Sequence, residues 1–156
     1  MSDQQMVMPM DLIETPEVIA YRIALPFLPP SKNVYDNWLP QWKASAKRKW
    51  KDAIKAHALE QNLPMGISHV GLAAKLVFPT KQRRDPQNYA QCLWNWVPDA
   101  LVQCGVLLDD REGMVSIGPN WGVQMAYDMR AGVPKTHRQR TSIVVSVQRV
   151  KYVREA

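Results

Sequence analysis

The sequence predicts an α+β domain built on a mixed β-sheet of four to five strands with two main helices, in the order β-α-β-α-β-β. Three observations carry that expectation. Residues 18–25 and 70–78 alternate apolar with small or polar side chains at period two, as strands with one face on a core do. Residues 42–61 and 86–104 instead repeat apolar residues at a period near 3.6 and are interleaved with those stretches. The chain has 156 residues, a length that suits one domain. With 46% hydrophobic and 22% charged residues it sits near the averages for globular proteins, which excludes a disordered or fibrous class.

Residues 1–17 show no sustained periodicity and carry Pro9 and Pro16, which predicts a flexible N-terminal arm ahead of a domain over 18–156. In the first strand Ile19, Tyr21, Ile23 and Leu25 alternate with Ala20, Arg22 and Ala24. Leu28-Pro29-Pro30-Ser31-Lys32-Asn33 ends it, because two prolines fix an extended turn while Ser31 and Asn33 favour local hydrogen bonds. This is either a rigid connector or a stiff loop that presents Lys32 and Asn33 to a ligand.

In the first helix Trp42, Ala46, Trp50, Ala53, Ile54 and His57 fall within about 120° of arc and form the expected buried face. Lys43, Lys47, Lys51 and Lys55 recur every four residues, with Arg48 beside them. An all-lysine stripe gains nothing from i,i+4 pairing, so it is either a solvated flank or one that faces phosphate. Asn62, Pro64 and Gly66 break the helix.

The second strand, 70–78, puts Leu72, Ala74, Leu76 and Phe78 on one face and leads into the basic loop Lys81-Gln82-Arg83-Arg84. In the helix that follows, Tyr89, Leu93, Trp96, Val97, Ala100, Leu101 and Cys104 share one face. Pro98 within it predicts a kink or brief break, and Gly105 a stop. Val115-Ser116-Ile117 and residues 121–127, around Gly118-Pro119-Asn120, read as one broken or bulged strand. Residues 130–140 read as a flexible basic loop and the valine-rich 142–150 as the last strand. The six tryptophans fall mostly at core spacing.

Twenty Lys and Arg against fourteen Asp and Glu leave a formal charge of +6, which favours a polyanionic partner. No apolar run approaches the roughly 20 residues of a bilayer span, so no membrane partner is expected. Residues 1–15 lack a basic segment ahead of an apolar one, so the expected compartment is the cytoplasm. Cys92 and Cys104 would lie about 18 Å apart on one helix, beyond disulfide reach, and read as buried thiols. His57, His69 and His137 are scattered and pair with no cysteine at zinc-ligand spacing.

The stretch from Arg83 to Asp110 concentrates the chemistry. Arg83-Arg84 precede Asp85-Pro86, and Asp109-Asp110 close the segment, so cations suited to phosphate flank acids suited to a hard metal. Asp85 ahead of Pro86 is also what a helix start prefers for structural reasons, and an Asp-Asp turn is often only solvated. Asp85 and Asp110, with Asp109, are the candidate ligands of an Mg²⁺ ion that polarises a phosphodiester, while Arg83 and Arg84 hold neighbouring phosphates. An unbroken helix over 86–104 runs about 28 Å, and residues 105–110 return at most about 20 Å. Asp85 and Asp110 therefore meet within one chain only if the helix bends near Pro98 or is shortened at either end.

Four motifs, Leu28-Pro29-Pro30-Ser31-Lys32-Asn33, Arg84-Asp85-Pro86-Gln87-Asn88, Asp99-Ala100-Leu101 and Gly105-Val106-Leu107-Leu108-Asp109-Asp110, resemble in order and spacing those of the RusA-type Holliday junction resolvases, including phage-encoded members. The resemblance spans residues 18–150. It implies a homodimeric endonuclease, in a bacterial or phage-infected cell, that resolves four-way DNA junctions by paired symmetric nicks in recombination and repair, with Mg²⁺ or Mn²⁺. Asp85 and Asp110 match the family's metal-binding acids and Asp99 an acid of its Asp-(Ala/Gly)-Leu element, so the implied catalytic residues are Asp85, Asp99 and Asp110. The expected DNA-binding residues are Lys32, Asn33, Lys43, Lys47, Arg48, Lys51, Arg83, Arg84 and Asn88. Gln87 stands where better-known members have a second acid, and Asn95 where a lysine is usual. The alternative reading is a junction-binding accessory protein that cleaves weakly or not at all.

Overall fold

A computed structural model describes residues 12–111 and 113–154, with side chains described through Gln148. Five strands form one mixed sheet: β1 (Leu12–Leu25), β2 (Val70–Phe78), β3 (Val115–Ile117), β4 (Val123–Tyr127) and β5 (Arg140–Arg154). The helices are α1 (Lys32–Asp36), α2 (Pro40–Glu60), α3 (Pro86–Gln103) and the single turn α4 (Lys135–Arg138). This is the α+β domain the periodicities predict, with α2 and α3 as its two long helices.

The sheet runs β1-β5-β2, with β3 and β4 both on the far side of β2. β5 is antiparallel to β1 and β2, whereas β3 and β4 pair parallel with successive halves of β2. The expected broken strand is thus two short strands on one edge, interrupted at Gly118 through Gly122. Leu72, Leu76 and Phe78 of β2, Ile143, Val145 and Val147 of β5, and Ile23 and Leu25 of β1 are buried on one face. On the other face Ala73 and Lys75 are exposed.

Trp50, Ile54 and Ala58 of α2 and Leu93, Trp96, Val97, Ala100 and Leu101 of α3 close over that apolar face, so the core lies between two helices and one side of the sheet. Trp50 and Trp96 pack 5.9 Å apart between ring centroids, joining the helices at the core's centre. The α3 helix runs through Pro98 without a break, for 18 residues. Pro98 is itself buried, and apolar residues on both sides of it seat the helix, which offsets the one backbone hydrogen bond it removes.

Several expectations are corrected. Residues 1–11 of the predicted arm lie outside the described residues, but Leu12 through Glu17 belong to β1 and pair with the far end of β5. Their side chains are mostly exposed, so the backbone ladder rather than burial fixes them, and Pro16 is tolerated because β1 is an edge strand. Trp42 leaves the predicted buried face: α2 begins at Pro40, which puts Trp42 in the first turn, 56% exposed. Of the six tryptophans only Trp50 and Trp96 are buried. Cys92 is a buried free thiol and Cys104 a half-buried one; burial pushes the Cys92 thiol up to about 11.

Leu93 is fully buried where α3 meets the sheet. Leu93→Ala is expected to cost about 3 kcal/mol, seen in urea unfolding as a lower midpoint at unchanged slope.

Candidate nucleic-acid interface

Two of the sequence motifs meet in space. Pro29 and Pro30 stiffen the chain out of β1, and Ser31 then caps α1, its hydroxyl accepting from the Val34 N–H at 3.3 Å. Lys32 and Asn33 open that helix and are exposed. Asp85 caps α3, its Oδ1 accepting from the Gln87 N–H at 3.1 Å, and Pro86 follows at the first helical position. The cap orients the carboxylate and leaves its second oxygen for solvent or a ligand. Lys32 and Asn33 then face Gln87, Asn88 and Gln91 across a cleft of about 510 Å³, closed by Trp94 and Trp121.

The basic loop is more ordered than its composition suggests. Arg84 folds back, donating to the Thr80 carbonyl at 2.8 Å and to Thr80 Oγ1 at 3.1 Å, with its guanidinium 4.1 Å above the Phe78 ring. It staples residues 79–85 to the end of β2, while Arg83 stays exposed. Arg138 ties the same loop from the other side, donating to the carbonyls of Pro79 and Asp128. Residues 130–140 are therefore not a free basic loop. Arg130 and Arg140 both donate to the buried Asp128 carboxylate, at 2.7 and 2.9 Å, and those hydrogen bonds, Arg130's first, hold its carboxyl well below the usual carboxylate range.

The lysine stripe divides. Lys51 forms a 2.6 Å ion pair with Asp99, clamping α2 to α3. Lys43 lies 5.2 Å over the Tyr35 ring, and Lys55 is 4.0 Å from Asp52. Lys47 and Arg48 remain exposed beside a shallow groove shared with Gln103. Lys49, off the four-residue stripe and missed by it, lies 4.5 Å over Phe27 and lines a second cleft, about 490 Å³, with Ser31, Thr80, Arg84 and Gln139. No spacing rule singles out Thr80 or Gln139; only the approach of the loop to α2 does.

The acids separate. Asp85 lies at the start of α3, beside the end of β2, where Tyr89 packs on Phe78 at 5.2 Å between ring centroids. Residues 105–111, 113 and 114 lie at the other end: Ile67 receives Leu108 and donates to Val106, and Val70, the first residue of β2, donates to Met114. An 18-residue helix spans about 27 Å, and the two residues from Leu108 to Asp110 recover only about 7 Å. Asp85 and Asp110 of one chain thus cannot share an ion. Asp99 is engaged by Lys51, and Asp109 forms a 3.4 Å ion pair with Arg111. Among the described residues no three Asp, Glu, His or Cys side chains form a metal-holding group. A lone exposed carboxylate at Asp85 suits an Mg²⁺ ion shared with phosphate oxygens and water, whereas the set of Asp85, Asp109 and Asp110 does not fit within one chain.

No family model matches the sequence, and no curated protein matches it. Among solved structures the chain is similar to the OmpA-like domain of FopA1 from Francisella tularensis subsp. tularensis SCHU S4, at 17% identity, covering 94% of this chain and 80% of that one. The TM-score is 0.30, too low to carry an argument about fold or function. No helix among the described residues is long and apolar enough to cross a membrane.

A carboxylate held below its ordinary value adds stability above the unfolded pKa, about 4, that is lost as pH falls toward the folded value. Asp128→Asn is therefore expected to lower the thermal midpoint at pH 5 to 7, with the gap from wild type narrowing as pH drops below about 4. Melting curves across that range check it; a gap that widens on acidification would refute the assignment.

Proposed function

We propose that this chain is a structure-selective DNA endonuclease of the resolvase type, acting as a homodimer on four-way junctions with Mg²⁺ or Mn²⁺. The meeting of Lys32 and Asn33 with Gln87 and Asn88 in one cleft carries the reading, because these residues come from two of the motifs that resemble the RusA-type family and lie far apart in the chain. Exposed Arg83, Lys47 and Arg48 add cationic contacts of the kind that neutralise a phosphate backbone and release its counterions. Asn33, Gln87, Asn88 and Gln91 are neutral donors and acceptors, suited to positioning a strand at the cleft rather than to bulk attraction.

Asp85 is the acid nearest this cleft along the chain, is exposed, and caps Gln87 through Oδ1 alone. An Mg²⁺ ion bound there with phosphate would supply charge neutralisation and a water of lowered pKa. Arg83 holds an adjoining phosphate, and Arg84 with Arg138 keeps the loop that carries it in place. Because one chain keeps Asp110 at the far end of α3, a second acid at this site comes from the other copy in the dimer. Gln87 and Asn95, in place of an acid and a lysine, favour the second reading, a junction-binding protein without turnover.

A labelled four-way junction incubated with the protein and Mg²⁺ separates the two. Symmetric nicks are expected from the wild type, with losses on the order of 100-fold or more in Asp85→Asn and Asp110→Asn. Mixing the two variants should restore nicking at one of the two sites, since one site of each mixed dimer keeps both acids. Tight, salt-sensitive binding that leaves the junction intact would establish the second reading, and binding indifferent to salt would sink both.

A further inference from the structure

Trp121 stands out from the other tryptophans in its backbone, and its side chain is exposed. Asn120, Trp121 and Gly122 have φ of 56°, 60° and 70°, three successive residues in the left-handed region. A bulky residue takes that conformation only where its surroundings impose it. Here the indole N–H of Trp94 donates to the Trp121 carbonyl at 2.7 Å, and the Asn120 side-chain amide donates to the Val123 carbonyl at 3.3 Å. Gly122 lies so close beneath that a Cβ would come within 2.5 Å of Ile117 Cγ2 and 3.1 Å of Trp94 Cζ2. The turn is pressed onto Trp94 and pinned there, yet the Trp121 side chain it carries is 53% exposed.

Trp121 lines the cleft that contains Lys32, Asn33, Gln87, Asn88 and Gln91. A flat aromatic wall, four side-chain amides and one ammonium select a ligand that is planar, offers hydrogen-bond donors and acceptors on its edge, and carries an anion. Among the described residues no carboxylate lines the cleft, so none of them repels a phosphate there. The volume, about 510 Å³, is that of a small-molecule site and admits a nucleotide but not a duplex. A base stacked within a duplex cannot lie against an indole, because both its faces are already covered, so the ligand this wall selects is unstacked.

We propose that the cleft receives one unpaired nucleobase of a DNA strand, stacked on Trp121, its edge met by the amides of Gln87, Asn88 and Gln91 and its phosphate by Lys32. This rests on the reading of the cationic face as a DNA surface and adds what that face distinguishes: a strand with a base available outside the stack, as at a branch point or bulge. The strained turn holds the Trp121 backbone in place before the base arrives, so only its side chain remains to be ordered on binding.

Fluorescence anisotropy of the full chain, without Mg²⁺, on three labelled duplexes tests this: one fully paired, one with a single bulged 2-aminopurine, one with an abasic residue at the bulge. The wild type is expected to bind the bulged base about tenfold more tightly than the other two and to quench the 2-aminopurine, as stacking on an indole does. Trp121→Asn, which tolerates the left-handed backbone, should abolish the quench and bring bulge affinity down to that of the paired duplex; Trp121→Phe should keep most of the preference and the quench. Gln91→Leu, which leaves the turn untouched, should weaken bulge binding about threefold. A bulge preference that survives Trp121→Asn, or one equal for the abasic site, overturns the proposal while leaving the DNA surface standing. Failure of all three duplexes to bind at low salt overturns both.

Discussion

The packing of α3 on β2 sets the geometry of the functional face. Leu93, Trp96, Val97, Ala100 and Leu101 lock the helix onto the sheet, and Tyr89 against Phe78 fixes which end of the helix meets which end of the strand. A helix is rigid along its axis, so the N-cap at Asp85 and the return at residues 105–111 are held a helix length apart, and no side-chain rotation closes that gap. The same rigidity aligns Gln87, Gln91 and Trp94 with Asn88 at spacings of three and four, a row that lines one side of the cleft. One element therefore both separates the acids and builds the cleft.

The positive charge of the chain serves two physical ends. Arg84, Arg130, Arg138 and Arg140 are spent on carbonyls, an aromatic face and one buried carboxylate, which rigidifies the loops at the end of β2. Lys51 is spent on Asp99. Lys32, Lys47, Arg48 and Arg83 stay exposed and keep their charge available to solvent or a polyanion. Net charge alone does not distinguish these groups, since each cation counts once whether or not the fold has already given it a partner.

Much of the fold was legible because its signals are local. The period-two stretches at 18–25 and 70–78 are parts of β1 and β2, the two 3.6-period runs are α2 and α3, and Gly118-Pro119-Asn120 marks the interruption between β3 and β4. The failures have local causes as well. Pro16 and the exposed side chains of 12–17 gave no strand signal, since the ladder to β5 is a backbone interaction that side-chain patterning does not record. Trp42 obeyed the helical spacing but sits in a first turn where no partner covers it. Pro98 signalled a break that burial on both sides overrode.

By itself the sequence determined the types of the long elements, the cap at Asp85, local hydrogen bonding at Ser31 and a surplus of cations, all of which depend on neighbours within a turn or two of chain. Tertiary structure alone decided which charges are free, that Asp85 and Asp110 stand at opposite ends of α3, and that Lys32 and Asn33 meet Gln87 and Asn88. It also decided that Trp121, which has no distinguishing pattern around it, is held out on a left-handed turn by Trp94. Such contacts join residues distant in the chain, and their geometry is fixed by how α1, α3 and the turn before β4 pack together, which no spacing along one element encodes.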